Sequence, residues 1–429
     1  MTTVSCPRVA RVNSNKLLGF LFAFMLIFLQ EGYSYYLSFQ TLALLLVLGV
    51  LVMSRPSIYS KQPTLYLLIS LAAFCLFLGI TGMFSASVVS RNTINIFLTI
   101  GVIWIYALLI VGFLCVSPRR VIPILIVFRT AAAVTTLTLT SLIMLTELSL
   151  IPGISRNELL LQNSRLITNA TSEDALISHL AAFNTGRLDL FYGEPSYLGV
   201  VLFTCVSSFI LTSKLISNTA IADDGRAVVQ PRDFFNWVVI SGGVFSMFYI
   251  ESLSAIIFGL LIVMLQFGRY VIKKFSVLKI TIFIFVVLAF GLSQSFDYAV
   301  TRISNTDSMS FYQRFGFLSN FQMLDFLTGL QEESRMPEAG FHNGLFYIFA
   351  VSGVGGIWLV YALLRAVYVV AKPLGMSTIL TLVLLALMMQ NGAVFSPNKV
   401  VLFALILLPL SCARVLFNKR NNATEKVVS

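Results

Sequence analysis

Residues able to do chemistry are concentrated in one stretch of an otherwise apolar chain, residues 296–356. This stretch holds three arginines, six carboxylates and one of the two histidines in the protein. The histidine, His342, is followed by Asn343. A neutral imidazole can accept a hydroxyl proton near pH 7, and the Asn343 amide can orient an acceptor. The alternative is a histidine at the start of a helix with no catalytic part.

Arginine is the second chemical feature of this stretch. Arg314 lies in the segment 312–316, and its possible neighbours are Arg302, Arg335 and Arg187. A guanidinium binds phosphate oxygens bidentately and does not lose its charge, which suits a phosphate or diphosphate. Salt bridges within the loop are the alternative. They are favoured for Arg302 and Arg335, and for Arg314 both interpretations stay open.

A second polar segment, residues 187–196, includes Tyr192 and ends in Glu194, Pro195 and Ser196. Pro195 predicts the first residue of a helix, and Glu194 just before it complements the helix dipole. The same carboxylate, facing a cavity, could bind or deprotonate a sugar hydroxyl. Both interpretations of Glu194 stay open.

The rest of the chain is strongly apolar. Its 429 residues are 58% hydrophobic and 11% charged, with a mean hydropathy of +0.90. These values exclude an ordinary soluble globular protein and indicate an all-α protein with many membrane passages. Runs long enough to cross a ~30 Å hydrocarbon core predict about twelve spans, near residues 17–30, 37–53, 64–84, 93–116, 121–147, 196–213, 237–250, 253–268, 280–295, 343–364, 375–391 and 399–416.

The positions of the basic residues predict how these helices are oriented. The formal net charge is +11, and most lysines and arginines fall on one side if both termini are cytoplasmic. Basic residues of membrane proteins collect on the cytoplasmic side, so the excess indicates topology and not nucleic-acid binding. The same rule favours a hairpin turning at residues 251–254 over one long helix from 237 to 267.

We therefore expect a single membrane domain, residues 1–429, with two long outer loops, residues 149–194 and 296–342. The tail, residues 419–429, is predicted to be disordered and cytoplasmic. Arg129 is the clearest ionisable residue inside a span, where charged groups are costly and indicate function. The five cysteines lie outside both long loops, and their spacing predicts neither a disulfide nor a metal site.

These motifs resemble those of the O-antigen polymerase and ligase superfamily, bacterial membrane proteins that transfer lipid-linked glycans. The ligase-type signature is His, then Asn, Ser or Arg, nine residues, and Gly-x-x-Gly, Thr or Tyr; it is met by His342, Asn343, Gly353 and Gly356. Residues 314–329 are similar to the outer-loop arginine region, and residues 191–199 to the polymerase branch. The loop 296–342 is short for a ligase, which favours a polymerase.

The resemblance implies a GT-C glycosyltransferase in the bacterial inner membrane, with periplasmic loops, that acts on undecaprenyl-diphosphate-linked repeat units. It implies that Arg314, with Arg187, stabilises the leaving diphosphate, and that His342 or Glu194 engages the acceptor hydroxyl. The other substrate-binding candidates are Tyr192, Asn343, Arg302 and Arg335.

The resemblance requires no metal or other cofactor, and its expected partners are the lipid-linked oligosaccharide, membrane lipids, a chain-length regulator and a flippase. An O-antigen ligase acting on a lipid A-core acceptor is the second interpretation. A lipid-glycan flippase or other transporter is a third; transporters tend to carry internal repeats and buried midspan charges beside broken helices. A structural partner in a polysaccharide assembly complex is a fourth.

Overall fold

The computed structural model describes residues 7–28, 45–47, 49–50, 57–58, 114–115, 118–148, 150, 190, 195–220, 233–250, 252–273, 327, 344–389 and 397–428. Over these residues the fold is all-α, apart from one pair of two-residue strands and an isolated bridge residue. The helices are α1 (Pro7–Ile27), α2 (Val121–Glu147), α3 (Pro195–Ala220), α4 (Asp233–Tyr249), α5 (Leu253–Lys273), α6 (Gly344–Ala371), α7 (Ser377–Met389) and α8 (Pro397–Val428).

The chain divides into two compact units. The first comprises Met1–Val50 and Ile122–Ser304, and the second comprises Leu51–Val121 and Asn305–Ser429. Helices α1 to α5 thus belong to the first unit, except for the first residue of α2, and α6 to α8 belong to the second. Each unit is described by itself.

Helix α3 is the buried centre of the first unit. Every residue from 197 to 213 is buried, and α3 packs against both α4 and α5, which also pack on each other. Small residues permit this packing: a Cβ added at Gly199 would lie 2.5 Å from the Cβ of Ala255 on α5. Phe203 stacks on Phe258 at 4.6 Å between ring centroids. Close contact through small residues is typical of helices that pack in lipid.

Helix α2 joins the other helices of this unit through aromatic and hydroxyl contacts. Phe128 meets Phe22 of α1 edge to face, with ring centroids 5.6 Å apart. The buried hydroxyls of Thr140 and Ser246 are hydrogen-bonded at 2.8 Å and join α2 to α4. Other buried hydroxyls donate to the carbonyl one turn earlier, as Thr204 does to Val200 at 2.8 Å. Their polarity is thereby satisfied inside an apolar bundle.

The hairpin predicted at residues 251–254 is confirmed as two helices, α4 and α5, that contact each other. Ser252 begins the second helix: its carbonyl accepts the Ile256 N–H at 3.0 Å, and its hydroxyl contacts that of Ser254 at 2.9 Å. Serine is preferred at this position because its side chain can satisfy backbone groups at a helix start. Ser252 therefore occupies the N-cap position of α5.

In the second unit, α6 packs against α7 and α8, which also contact each other. A short 3-10 turn, Lys372–Leu374, follows α6, and Gly375 closes it with φ 63° and an N–H donated to the Lys372 carbonyl at 2.9 Å. A left-handed residue after a helix is most easily glycine, because it has no Cβ to collide with the preceding carbonyl. The turn brings α7 back along α6.

Two expectations from the sequence differ from the structure. The span predicted at 93–116 ends in Leu114–Cys115, which instead pairs antiparallel with Ser57–Ile58. A proline follows shortly at Pro118, and the residue before a proline disfavours helix, which limits the span at this end. The tail predicted to be disordered from residue 419 is helical to Val428, because α8 meets no glycine or proline after Pro409 and an existing helix is extended at little cost.

Two described helices are long and apolar enough to cross a membrane, Val121–Thr146 and Ser196–Ser217; shorter apolar helices include Ser14–Ile27, Phe234–Tyr249 and Val401–Ala413. The predicted spans 64–84 and 280–295 lie outside the described residues. Apolar side chains also form exposed stripes. On α1 they are Leu17, Phe20, Leu21 and Phe24, each at least 50% exposed, opposite buried Phe22 and Leu26. A helix that is apolar on all sides needs an apolar environment around it.

Candidate functional site

The eight predicted site residues lie outside the described residues: they are Arg187, Tyr192, Glu194, Arg302, Arg314, Arg335, His342 and Asn343. Two of the predicted motifs run directly into described helices. Glu194 immediately precedes α3, and Asn343 immediately precedes α6. The structure therefore shows the helices that begin next to these residues, and it leaves their side-chain positions open.

Helix α3 begins at Pro195, which confirms the predicted first helical residue. Five residues earlier, Leu190 is fully buried with a positive φ of 48°. A side chain with a Cβ adopts this conformation only when its surroundings hold it there, and such residues are enriched at functional sites. In sequence, Leu190 lies two residues before Tyr192 and four before Glu194.

Helix α6 is broken at Gly353, the first glycine of the signature, where φ is 51° and ψ is −136°. Only glycine adopts this backbone conformation readily, so the pattern has a structural requirement at this residue. The first residue of α6, Gly344, is buried. Gly353 lies nine residues further on, roughly 14 Å along the helix. A helix break leaves backbone groups without their usual partners, and in lipid it is tolerated where protein or a water-filled cavity surrounds it.

A buried lysine in the second unit was not singled out from the sequence. Lys399, in the first turn of α8, is 1% exposed and among the largest fully buried side chains. Its position as the third residue of an apolar helix is the sequence feature that could have identified it, because an ionisable group inside such a helix is costly.

Arg129 has the most fully described polar environment in the structure. Its Nε donates to the Ser213 hydroxyl at 2.9 Å, and its Nη2 donates to the Asn236 Oδ1 at 3.1 Å. Arg129, Ser213 and Asn236 belong to α2, α3 and α4 respectively. The guanidinium carbon lies 5.2 Å from the ring centroid of Phe209 and 5.9 Å from that of Phe235. These distances fall within the range of cation–π attraction.

The guanidinium of Arg129 is thus held by neutral groups. Among the side chains that the structure describes, its Nη1 donates no hydrogen bond. Arg129 is partly buried, Phe209 is fully buried and Phe235 is 38% exposed. A guanidinium fixed this way has a defined position, a positive charge and unused donors, which is the requirement for binding an anion.

The described residues contain no group of three metal-ligating side chains. Comparison with known protein families, curated proteins and solved structures found no match to this chain.

Proposed function

We propose that this protein is a multi-pass membrane glycosyltransferase that polymerises a lipid-linked polysaccharide. It transfers a growing glycan from undecaprenyl diphosphate to the non-reducing end of a new undecaprenyl-diphosphate-linked repeat unit, at the periplasmic face of the bacterial inner membrane. The strongly apolar composition, the long apolar helices and the exposed apolar stripes support the membrane location.

The observation that carries the proposal is the backbone of Gly353. The signature of His342, Asn343, Gly353 and Gly356 is short, and a match to a short pattern can arise by chance. A chance match does not require its glycine to stand where a Cβ is disfavoured, and Gly353 does, with φ 51°. The glycine of the motif therefore coincides with a break in α6, ten residues after Asn343 in sequence.

In the proposed reaction the acceptor hydroxyl oxygen bonds to the anomeric carbon of the growing chain as the bond to the diphosphate oxygen breaks. His342 or Glu194 takes the hydroxyl proton. Arg314, with Arg187, stabilises the negative charge on the departing diphosphate, because a guanidinium keeps its charge and binds two oxygens at once. The remaining predicted substrate contacts are Tyr192, Asn343, Arg302 and Arg335.

Two structural features also favour a lipid-glycan transporter as the second candidate. Arg129 is a charged residue within the bundle, and α6 is broken at Gly353. Both are features of transporters, whose sites lie beside discontinuous helices. The polymerase is preferred because the break lies within the His342 signature and because most other candidate groups fall in the predicted outer loops.

The test is a glycolipid gel from a strain that lacks this gene, compared with the same strain carrying the wild type or His342→Ala. A polymerase predicts that the deletion and His342→Ala lose the ladder of chain lengths while one repeat unit still reaches the lipid anchor. Retention of the full ladder by His342→Ala removes that residue from the mechanism.

The same gel separates the other candidates. A ligase predicts loss of all attached glycan, with full-length polymer accumulating on the lipid carrier. Repeat units that accumulate on the cytoplasmic side in the deletion strain would replace the polymerase with a transporter.

A further inference from the structure

The polar cluster around Arg129 lies near one end of the first unit. Asn236 belongs to the first turn of α4, and Ser213 lies two turns before the end of α3 at Ala220. On α2, Arg129 is eight residues from Val121, roughly 12 Å along the helix. Side chains on a helix lean toward its N-terminus, so a long arginine on α2 reaches toward this end. The guanidinium is therefore close to the depth at which α4 begins.

The contacts of the guanidinium leave room for a ligand. An arginine has five N–H donors, and two are used, one by Ser213 and one by Asn236. Within the described residues the donors on Nη1 make no hydrogen bond. Two parallel donors on a fixed cation match the oxygens of a phosphate group.

The surroundings of Arg129 identify where that phosphate comes from. The first five residues of α4 include three large exposed aromatic side chains: Phe234 is 79% exposed, Trp237 41% and Phe235 38%. Exposed aromatic rings at the end of an apolar helix are typical of the boundary between lipid headgroups and acyl chains. The anion found at that depth is the phosphate of a membrane lipid, and a freely dissolved anion gains nothing from the apolar rings beside it.

We infer that Arg129 binds the phosphate group of an anionic phospholipid, with Ser213 and Asn236 fixing the guanidinium. Phe235 packs against the guanidinium on one side and is open to the lipid on the other. The site holds a membrane lipid and takes no part in glycosyl transfer. It depends on the proposed function only for the placement of these helices in a membrane.

The experiment measures lipid binding by the purified full-length protein, using native mass spectrometry in neutral detergent and thermal unfolding. The probes are phosphatidylglycerol, phosphatidylcholine and inorganic phosphate, titrated separately. The wild type is expected to retain phosphatidylglycerol in preference to phosphatidylcholine and to gain thermal stability from it, because a ligand that binds only the folded state stabilises it.

The decisive variant is Arg129→Gln, with Arg365→Gln as the control. Arg365 is an exposed arginine on α6, so its replacement removes the same charge elsewhere. Arg129→Gln is expected to bind phosphatidylglycerol about tenfold more weakly, the loss expected for a hydrogen bond to a charged group, and Arg365→Gln is expected to bind like the wild type. Arg129→Lys keeps the charge without the fork of donors and is expected to fall between them, which provides a test if Arg129→Gln does not fold.

Three results would overturn the inference. Equal binding of phosphatidylglycerol by Arg129→Gln and the wild type would leave Arg129 only a structural link between helices. Equal binding of the two lipids by the wild type would remove the requirement for an anionic lipid. A thermal shift from inorganic phosphate as large as that from the lipid would assign the site to free phosphate. None of these results changes the glycolipid ladder, so this inference and the proposed function fail separately.

Discussion

Gly353 holds a backbone conformation that alanine adopts only at a cost of about 1–3 kcal/mol. The residue is buried and stands inside α6, where φ is 51°. If the break in α6 shapes the region next to His342, a substitution that straightens or strains the helix at Gly353 will reduce activity. The loss of activity will then be larger than the loss of folded protein accounts for. The glycine is then part of the site and not only a feature of packing.

We expect Gly353→Ala to lower the unfolding temperature and to shorten or abolish the glycolipid ladder at equal protein level. The matched control is Gly242→Ala on α4, where an added Cβ would make only an ordinary contact, 3.4 Å from the Thr140 Cγ2. Alanine at a helical position is favourable by up to about 1 kcal/mol over glycine, so this variant should be at least as stable as the wild type. If Gly353→Ala is as stable as Gly242→Ala, the break is not required by the sequence.

The residues that could be predicted from sequence differ in kind from those that could not. The hydroxyl and amide partners of Arg129 lie 84 and 107 residues away along the chain. No local pattern encodes such a pairing, because it depends on which helices pack together. Arg129 itself could be singled out, since a charge within an apolar run is visible in the sequence.

Helix positions were predictable because hydropathy and charge act locally. The run 121–147 matches α2 at both ends, and the positive-inside rule decided correctly between one helix and the hairpin of α4 and α5. The break inside α6 and the strand pair at Leu114–Cys115 were not predicted. A glycine in an apolar run is common in membrane helices, so composition does not reveal which one has a positive φ.

Helix α4 offers two adjacent glycines that test how closely the first unit is packed. A Cβ added at Gly243 would overlap the side chain of Val206 on α3 and lie 2.9 Å from the Thr136 Cγ2 on α2. A Cβ at Gly242 would lie 3.4 Å from the Thr140 Cγ2, an ordinary contact. The same substitution at neighbouring residues therefore meets different surroundings.

We expect Gly243→Ala to destabilise the protein by about 1–3 kcal/mol, the usual cost of overpacking. Gly242→Ala should be neutral or stabilising, because the gain in helix propensity is not offset by a clash. Thermal unfolding in detergent, followed by the loss of monodisperse protein on size-exclusion chromatography, measures both. Equal unfolding temperatures for the two variants would contradict the packing of α4 against α3 and α2.

The whole molecule has apolar side chains on its outside as well as inside. Leu17 of α1 is 63% exposed, Phe234 of α4 is 79% exposed and Met264 of α5 is 62% exposed. Apolar surface of this extent, on several helices, is stable in water only if another apolar phase covers it. We propose that the bilayer is that phase, in agreement with the buried hydroxyls that donate to carbonyls of their own helix and with the glycines at helix contacts.

Membrane orientation is the assumption on which the periplasmic location of His342 depends, and two exposed residues test it. Leu150, just beyond the end of α2, is 67% exposed and is expected to face the periplasm. Lys372, between α6 and α7, is exposed and is expected to face the cytoplasm. We would replace the five native cysteines by alanine and introduce Leu150→Cys or Lys372→Cys, so that each protein carries one reactive thiol.

Spheroplasts treated with a membrane-impermeant maleimide should label Leu150→Cys at once and Lys372→Cys only after permeabilisation. Labelling of both before permeabilisation would mean that α6 does not cross the membrane in the predicted direction. His342 and Asn343, at the other end of α6 from Lys372, would then lose their place beside a periplasmic substrate. The Arg129 lipid site would survive that result, because it needs only that the first unit lies in a membrane and not which side its ends face.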